Sequence, residues 1–297
     1  MRLVTYLAES GWRSGIRDGN VIVDTEELTR AADMKPVEGT GNRQVLREGT
    51  GFLWNLGNAR REGCRTILAS EARLGPPVPD PDKVICVGLN YRDHALETGL
   101  ATADVPPLFT KFRNSLIGAE APIVLPRISK EVDYEAELAI VIGRTAKEVP
   151  VGAALSYVAG AMCFNDVSAR DLQFKTSQFT AGKALDTFGP CGPELVTLDE
   201  IEDLQRLHIC ARVNGNVVQE STTSEMIFTV KELVAYVSEI MTLEPGDIVA
   251  TGTPAGVGFA RKPRSYLQVG DRVEVEIEGL GILGNTVLAP AENLVKA

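Results

Sequence analysis

The segment from Val132 to Gly143 constrains this chain more than any other, because an acidic head runs directly into an apolar, β-branched tail. The tail from Leu138 to Ile142 is typical of a buried strand. Side chains alternate between the two faces of a strand, so an extension through the head places Asp133, Glu135 and Glu137 on one face. The pattern therefore predicts that three carboxylates converge at one end of a buried strand.

Carboxylates that converge at the mouth of an apolar strand repel one another and lose hydration, so they require protons or a cation. A metal ion is the natural candidate. Oxygen ligands suit a hard ion such as Mg²⁺, Mn²⁺ or Ca²⁺, and the segment contains no His or Cys that would support structural zinc. The alternative is an edge strand whose acids face water, and this segment by itself leaves both interpretations open.

A second segment offers a further ligand. Asp166 follows the apolar stretch from Val158 to Phe164 and stands where a buried strand gives way to a turn or helix. A carboxylate at the end of a buried strand is well placed to complete an oxygen-ligand site. Asp166 is therefore predicted to join the acidic head of the first segment.

His94 and Glu97 form a candidate catalytic pair. They are three residues apart, so they share a face if the chain is helical there. A carboxylate beside an imidazole orients it and supports its cationic form, as a general base requires. The alternative is a surface histidine beside a chance glutamate. The other histidine, His208, lies opposite the apolar face of a predicted strand and is expected to be structural or exposed.

The glycine-rich loop from Thr251 to Gly258 follows a short apolar strand. It lacks the Lys-Ser/Thr of a P-loop and the glycine spacing of a Rossmann turn, so a nucleotide site is not supported. Such a loop can instead present backbone N–H groups, together with Thr253, to a carboxylate.

Charge and composition limit the partners and the compartment. The net charge of −10 argues against nucleic acid as a partner, because that binding depends on basic patches. Every apolar run is shorter than the roughly 20 residues that a spanning helix needs, so no membrane association is expected. The N-terminus lacks the apolar core of a signal peptide, and five scattered cysteines indicate reduced thiols. A cytoplasmic protein is therefore expected.

The distribution of strand-like and turn residues predicts a β-rich α+β fold in two parts. Strand-like residues at Arg2–Leu7 and Val21–Asp24 indicate a small β-containing N-terminal domain over residues 1–74. The Pro-rich segment 75–82 is interpreted as an extended linker. A β-rich catalytic domain is predicted over residues 83–297.

Four motifs, in order along the chain, together resemble the fumarylacetoacetate hydrolase family. They are Asp133-Tyr134-Glu135-Ala136-Glu137-Leu138, Asn165-Asp166-Val167-Ser168-Ala169-Arg170-Asp171, Gly182-Lys183 and Thr251-Gly252-Thr253-Pro254-Ala255-Gly256-Val257-Gly258. The resemblance extends over residues 81–288. It implies a catalytic domain with the mixed β-roll of that family, usually as a homodimer.

The resemblance also implies roles for residues outside the acidic segments, and it favours the catalytic interpretation of the His-Glu pair. The implied catalytic residues are His94, Glu97 and Lys183. The implied substrate-binding residues are Gln173, Gly252 and Thr253.

The ligand pattern is similar to one branch of the family. Metal ligation by Glu135, Glu137 and Asp166 alone resembles the acylpyruvase and oxaloacetate decarboxylase branch. The fumarylacetoacetase branch has a further metal-binding Asp and a Tyr where this chain has Val87 and Leu89. Fumarylacetoacetate itself is therefore not the expected substrate.

The resemblance and the residues together predict a metal-dependent hydrolase that cleaves a carbon–carbon bond in a 2,4-dioxo acid such as an acylpyruvate. The acid is expected to bind Mg²⁺ or Mn²⁺, which acts as a Lewis acid. His94, oriented by Glu97, would activate water, and Lys183 would hold the released enolate. Oxaloacetate decarboxylation is the first alternative. Tautomerisation or isomerisation of a 2-oxo acid, of the 2-hydroxyhepta-2,4-diene-1,7-dioate type, is the second, and a metal-stabilised dimer that only binds small acids is the non-enzymatic one.

Overall fold

The computed structural model describes residues 1–37, 41–99 and 101–290, and these contain 18 β-strands. In chain order the strands are β1 (Arg2–Ala8), β2 (Gly11–Asp18), β3 (Val21–Asp24), β4 (Thr66–Leu68), β5 (Val84–Val87), β6 (Leu108–Lys111), β7 (Leu116–Ile117), β8 (Ile123–Val124), β9 (Val132–Asp133), β10 (Ala136–Ile142), β11 (Val158–Asn165), β12 (Ser168–Ala169), β13 (Gly189–Thr197), β14 (His208–Val213), β15 (Asn216–Thr222), β16 (Ile248–Ala250), β17 (Arg272–Ile277) and β18 (Gly281–Leu288).

The strands form three sheets in the described ranges. The largest has 11 strands in the order β4-β3-β2-β1-β13-β11-β10-β16-β5-β6, with β7 beside β13. A second sheet has the order β15-β14-β17-β18-β8, and β9 pairs with β12. Most pairs are antiparallel, whereas β16–β5, β13–β7 and β18–β8 are parallel. The predicted β-rich α+β class is confirmed.

The helices are short. They are α1 (Thr25–Ala31), α2 (Asn42–Arg47), α3 (Thr50–Asn58), α4 (Arg92–Thr98), α5 (Arg170–Gln173), α6 (Thr180–Lys183) and α7 (Val230–Ile240). The longest in the described ranges, α7, has 11 residues and begins with a capping box between Thr229 and Glu232. None of the helices in these ranges has the length and apolar character needed to cross a bilayer.

Strand β10 is buried along its whole length and supplies side chains to two separate cores. Leu138 and Ile140 belong to one core, whereas Ala139 and Val141 belong to the other. The strand is paired on both sides, with β11 and β16. A central strand with both faces covered is apolar at nearly every position, which explains the composition of β10 apart from Glu137. The predicted buried strand is confirmed, and the edge-strand alternative is wrong.

The N-terminal strands continue the large sheet. β1 pairs with β13, with Arg2 opposite Val196. Leu3 and Leu28 lie in the same core as Val141 of β10. The division into domains at residues 75–82 stays a prediction, and the structure adds that the segments on its two sides share a sheet and a core.

Candidate metal centre and active site

The three predicted metal ligands lie together at one end of the β10–β11 pair. Glu135 directly precedes β10, Glu137 is its second residue, and Asp166 directly follows β11. The strands are antiparallel, with Ala136 opposite Asn165, so the start of one meets the end of the other. One carboxylate oxygen from each acid lies within 4.8 Å of the other two, and all three side chains are buried. We call Glu135, Glu137 and Asp166 the carboxylate triad.

Asp133 does not join the triad, and the expectation that it converges with Glu135 and Glu137 is wrong. The strand is interrupted, because β9 ends at Asp133 and β10 begins at Ala136. Asp133 instead faces Arg170, whose Nε and Nη2 both lie 2.9 Å from its Oδ2. An irregular backbone between the two strands removes the alternation on which the prediction depended.

Three buried cations contact the triad. Lys183 Nζ donates to Glu135 Oε2 at 2.6 Å and to Asp166 Oδ2 at 2.7 Å. Lys111 Nζ lies 2.8 Å from Asp166 Oδ1, and Arg170 Nη2 lies 2.6 Å from Glu135 Oε1. The sequence prediction includes Lys183 but misses the other two cations.

The two missed cations differ in the signal that the sequence carries for them. Arg170 belongs to a motif that also supplies a triad residue, so its place near the site could have been inferred. Lys111 ends strand β6 and has no motif of its own. Its Nζ donates to three backbone carbonyls, those of Val167 at 2.9 Å, Lys183 at 2.5 Å and Phe188 at 2.7 Å.

The buried charges do not balance. Counting Asp133, the described part of the chain buries four carboxylates and three cations at this site, so the carboxylates exceed the cations by one. Glu137 is the carboxylate that no described cation contacts. The Gly252 N–H donates to its Oε2 at 3.0 Å. Burial, together with the charges of Asp166 and Glu135, raises the pKa of Glu137 well above its ordinary value.

Glu135 shows the opposite behaviour. Burial acts to raise its pKa, but the charges of Arg170, Lys183 and His94 outweigh burial and lower the pKa of Glu135 to about 2. Glu135 is therefore ionised at neutral pH. His94 acts on Glu135 through its charge, so the imidazole lies near the triad.

The residues present fit a divalent cation. The donors are carboxylate oxygens, which hard ions such as Mg²⁺, Mn²⁺ and Ca²⁺ prefer. Lys111 has three N–H donors, and all three are used by backbone carbonyls. Asp166 Oδ1 therefore lies beside the positive charge of Lys111 but accepts no hydrogen bond from any described residue. This buried, unpaired oxygen and the unneutralised Glu137 are the features that a metal ligand set would show.

Helix α4 carries the predicted imidazole–carboxylate pair. His94 Nδ1 lies 3.1 Å from Glu97 Oε2, and the Gly256 N–H donates to Glu97 Oε1 at 2.9 Å. His94 is 7% exposed, so it is not a surface histidine. The glycine-rich loop thus holds the carboxylate that in turn orients the imidazole.

The predicted substrate-binding residues border the triad, but their donors differ in availability. The Gly252 N–H donates to the triad, and the Thr253 hydroxyl donates to the Ala136 carbonyl at 2.9 Å. Gln173 Oε1 accepts from Arg170 Nη1 at 2.9 Å, and no described residue accepts from its NH₂ group. Substrate binding by all three residues stays a prediction, and Gln173 retains a free donor for it.

Comparison with known proteins agrees with this geometry. The model of the fumarylacetoacetate (FAA) hydrolase C-terminal family matches residues 83–288. Oxaloacetate tautomerase Fahd2a, mitochondrial, of Rattus norvegicus is 43% identical over 295 residues, which cover 97% of this chain and 92% of that protein. The structure of fumarylacetoacetate hydrolase from Exiguobacterium antarcticum is 37% identical with a TM-score of 0.85, and that of 2-hydroxyhepta-2,4-diene-1,7-dioate isomerase from Mycobacterium marinum is 34% identical with a TM-score of 0.74. Each alignment covers 98% of this chain and 100% of the other. The chain therefore belongs to the fumarylacetoacetate hydrolase family.

Proposed function

We propose that this protein catalyses the keto–enol interconversion of a small 2-oxo acid, with oxaloacetate as the first substrate to test. The observation that carries the proposal is the buried His94–Glu97 pair beside the carboxylate triad, because enolisation needs a base next to a site that stabilises negative charge. The name of the rat relative suggests the substrate.

Enolisation moves one proton, and His94 is suited to carry it. Its Nδ1 is engaged by Glu97, which leaves Nε2 to take the proton from the carbon beside the keto group. The electron pair of the C–H bond becomes the carbon–carbon double bond, the keto oxygen receives the proton, and no other reactant is consumed. Glu97 stabilises the imidazolium between the two proton transfers.

Two further groups stabilise the enolate that forms in both directions of the reaction. Lys183 is 2% exposed, and its ammonium supplies positive charge where the keto oxygen gains negative charge. The free NH₂ of Gln173 offers a hydrogen bond to an oxygen of the acid. Mg²⁺ or Mn²⁺ held by Glu135, Glu137 and Asp166 would add Lewis-acid polarisation of the keto group.

Hydrolysis of a carbon–carbon bond in an acylpyruvate is the second candidate. The orientation of His94 by Glu97 favours it too, since a base that takes a proton from carbon can also take one from water. The Exiguobacterium relative is named a hydrolase. Oxaloacetate decarboxylation, isomerisation of a heptadienedioate and simple acid binding also stay predictions.

The test adds enolic oxaloacetate to the protein with Mn²⁺ and follows the loss of the ultraviolet absorbance of the enol. We expect decay faster than the spontaneous rate, abolished by EDTA, without release of pyruvate. Decay at the spontaneous rate together with acylpyruvate cleavage would favour the second candidate. No turnover of any 2-oxo acid would favour a binding protein.

A matched pair of variants controls this test. His94→Ala removes the buried imidazole, whereas His208→Ala removes an exposed imidazole whose Nε2 lies 3.3 Å from Glu220 Oε1. Only His94→Ala should slow turnover. The homodimer and the cytoplasmic location stay predictions, to be tested by light scattering and by cell fractionation.

A further inference from the structure

Asp133 is saturated with hydrogen bonds although it lies outside the triad. Its Oδ1 accepts from the backbone N–H groups of Tyr134 at 2.9 Å and Gly258 at 2.7 Å. Its Oδ2 accepts from the Phe259 N–H at 3.0 Å and from Arg170 Nε at 2.9 Å. The side chain is fully buried. These bonds fix the carboxylate in one orientation.

Arg170 links the fixed carboxylate of Asp133 to Gln173, the predicted substrate-binding residue. Its Nε and Nη2 face Asp133, and Nη2 also lies 2.6 Å from Glu135 Oε1. Its Nη1 donates to Gln173 Oε1 at 2.9 Å. The guanidinium carbon lies 4.4 Å from the centre of the Phe259 ring. Because a guanidinium is planar and rigid, fixing one edge and one face determines where Nη1 points.

The contact with Arg170 decides which end of the Gln173 amide faces outwards. Arg170 has donors only, so Gln173 must turn its carbonyl oxygen towards Nη1. The NH₂ group then points the other way, and no described residue accepts from it. Gln173 is 5% exposed. A buried amide fixed in this way offers a donor and therefore selects an acceptor oxygen.

We propose that Asp133 is a positioning residue that clamps Arg170 and thereby directs the NH₂ of Gln173 at a carboxylate or keto oxygen of the substrate. This role rests on the proposed function, because it presumes an acid bound at the triad. The glycine-rich loop also packs closely at this point. A Cβ at Gly258 would lie 1.9 Å from the Ser265 carbonyl oxygen and 2.5 Å from Asp133 Oδ1, so glycine lets the loop backbone approach both groups.

Asp133→Asn tests the clamp with little change of shape. The Asn oxygen can accept from Tyr134 and Gly258, but its NH₂ then faces the donors of Phe259 and Arg170. The probe is oxalate, a small acid with adjacent carboxylate oxygens, titrated by calorimetry at saturating Mn²⁺. We expect oxalate to bind about 10- to 100-fold more weakly to this variant, as for loss of one charge-assisted hydrogen bond.

A double-mutant cycle with Gln173→Ala distinguishes positioning from general structural support. If Asp133 acts through Gln173, the double variant binds oxalate no more weakly than the weaker single variant. Fold-losses that multiply would overturn the proposal, and so would an absence of oxalate binding by the unaltered protein. Oxalate binding requires no turnover. A lack of tautomerase activity would therefore refute the proposed function, whereas the oxalate affinities of the double-mutant cycle could still be measured and compared.

Two controls complete the design. Asp24→Asn is the matched variant, since Asp24 is also buried and bonded to an arginine and to two backbone N–H groups, but outside the site. Oxalate affinity should be unchanged in Asp24→Asn. If Asp133→Asn does not fold, Arg170→Lys replaces it in the cycle, because Lys keeps the positive charge but cannot bridge three partners. The double variant of Arg170→Lys and Gln173→Ala should then bind oxalate no more weakly than the weaker-binding single variant. Fold-losses that multiply would overturn the proposal.

Discussion

Replacing Glu137 by Gln is expected to remove metal-dependent stability without harming the fold. Glu137 is 1% exposed, and no described cation contacts it. The Gln carbonyl oxygen can still accept from the Gly252 N–H, so the substitution leaves no cavity and keeps that backbone donor paired. In EDTA the variant should be at least as stable as the unaltered protein, because an uncompensated buried charge destabilises the folded state.

The magnitude follows from the linkage between binding and folding. At a Mn²⁺ concentration of about 1,000 times Kd, the ion stabilises the unaltered protein by about 4.1 kcal/mol. Loss of a ligand should weaken binding at least as much as loss of an outer partner, about 100-fold. The same Mn²⁺ concentration is then about 10 times Kd and stabilises the variant by about 1.4 kcal/mol. The difference of about 2.7 kcal/mol corresponds to a Tm gap on the order of 5 °C.

Thermal unfolding in EDTA and in Mn²⁺, with calorimetric titration of Mn²⁺, measures both parts of this prediction. Asp166→Asn is the contrasting variant. It weakens the pairing of Lys111 and Lys183, so it should lose about 3–5 kcal/mol even in EDTA. Unchanged Mn²⁺ affinity in Glu137→Gln would refute the assignment of the ligand. A clear loss of stability of that variant in EDTA would refute the charge argument.

Two further predictions concern proton transfer and acid stability. His94→Ala should lower kcat/KM for the favoured substrate by about 10²–10⁴-fold, because it removes the general base, while Mn²⁺ affinity stays unchanged. Steady-state kinetics and a Mn²⁺ titration measure the two quantities, and a fall in Mn²⁺ affinity would contradict this role of His94. For Asp24, burial raises the pKa, but the hydrogen bonds from Arg13 and Tyr6 outweigh burial and hold the pKa below its ordinary value. The ionised carboxylate thus stabilises the fold above about pH 4, and this contribution is lost as the pH falls through the lowered pKa. Urea unfolding should show Asp24→Asn about 1–3 kcal/mol less stable at pH 7, with a gap that shrinks below about pH 4; a gap independent of pH would contradict this assignment.

Some parts of the site are encoded locally and could be inferred from the sequence. The burial of β10 follows from an apolar run that admits no water-facing position. The His94–Glu97 contact follows from a spacing of three on a helical turn. The motif order identified the family, which the match over residues 83–288 confirms. The predicted hydrolase activity is not confirmed, because enolisation and hydrolysis can use the same acids and the same base.

Other parts depend on the tertiary structure. The alternation that should have brought Asp133 to the triad fails between β9 and β10, where two residues leave the strand conformation. Lys111 reaches the triad only because β6 and the segment after β11 are brought together in the fold, and a lysine in a strand carries no local sign of that contact. Periodicity reports which face a residue takes within its own element. Which charges meet at a buried site depends on packing between distant segments, and only the folded chain decided that Arg170 would link Asp133, Glu135 and Gln173.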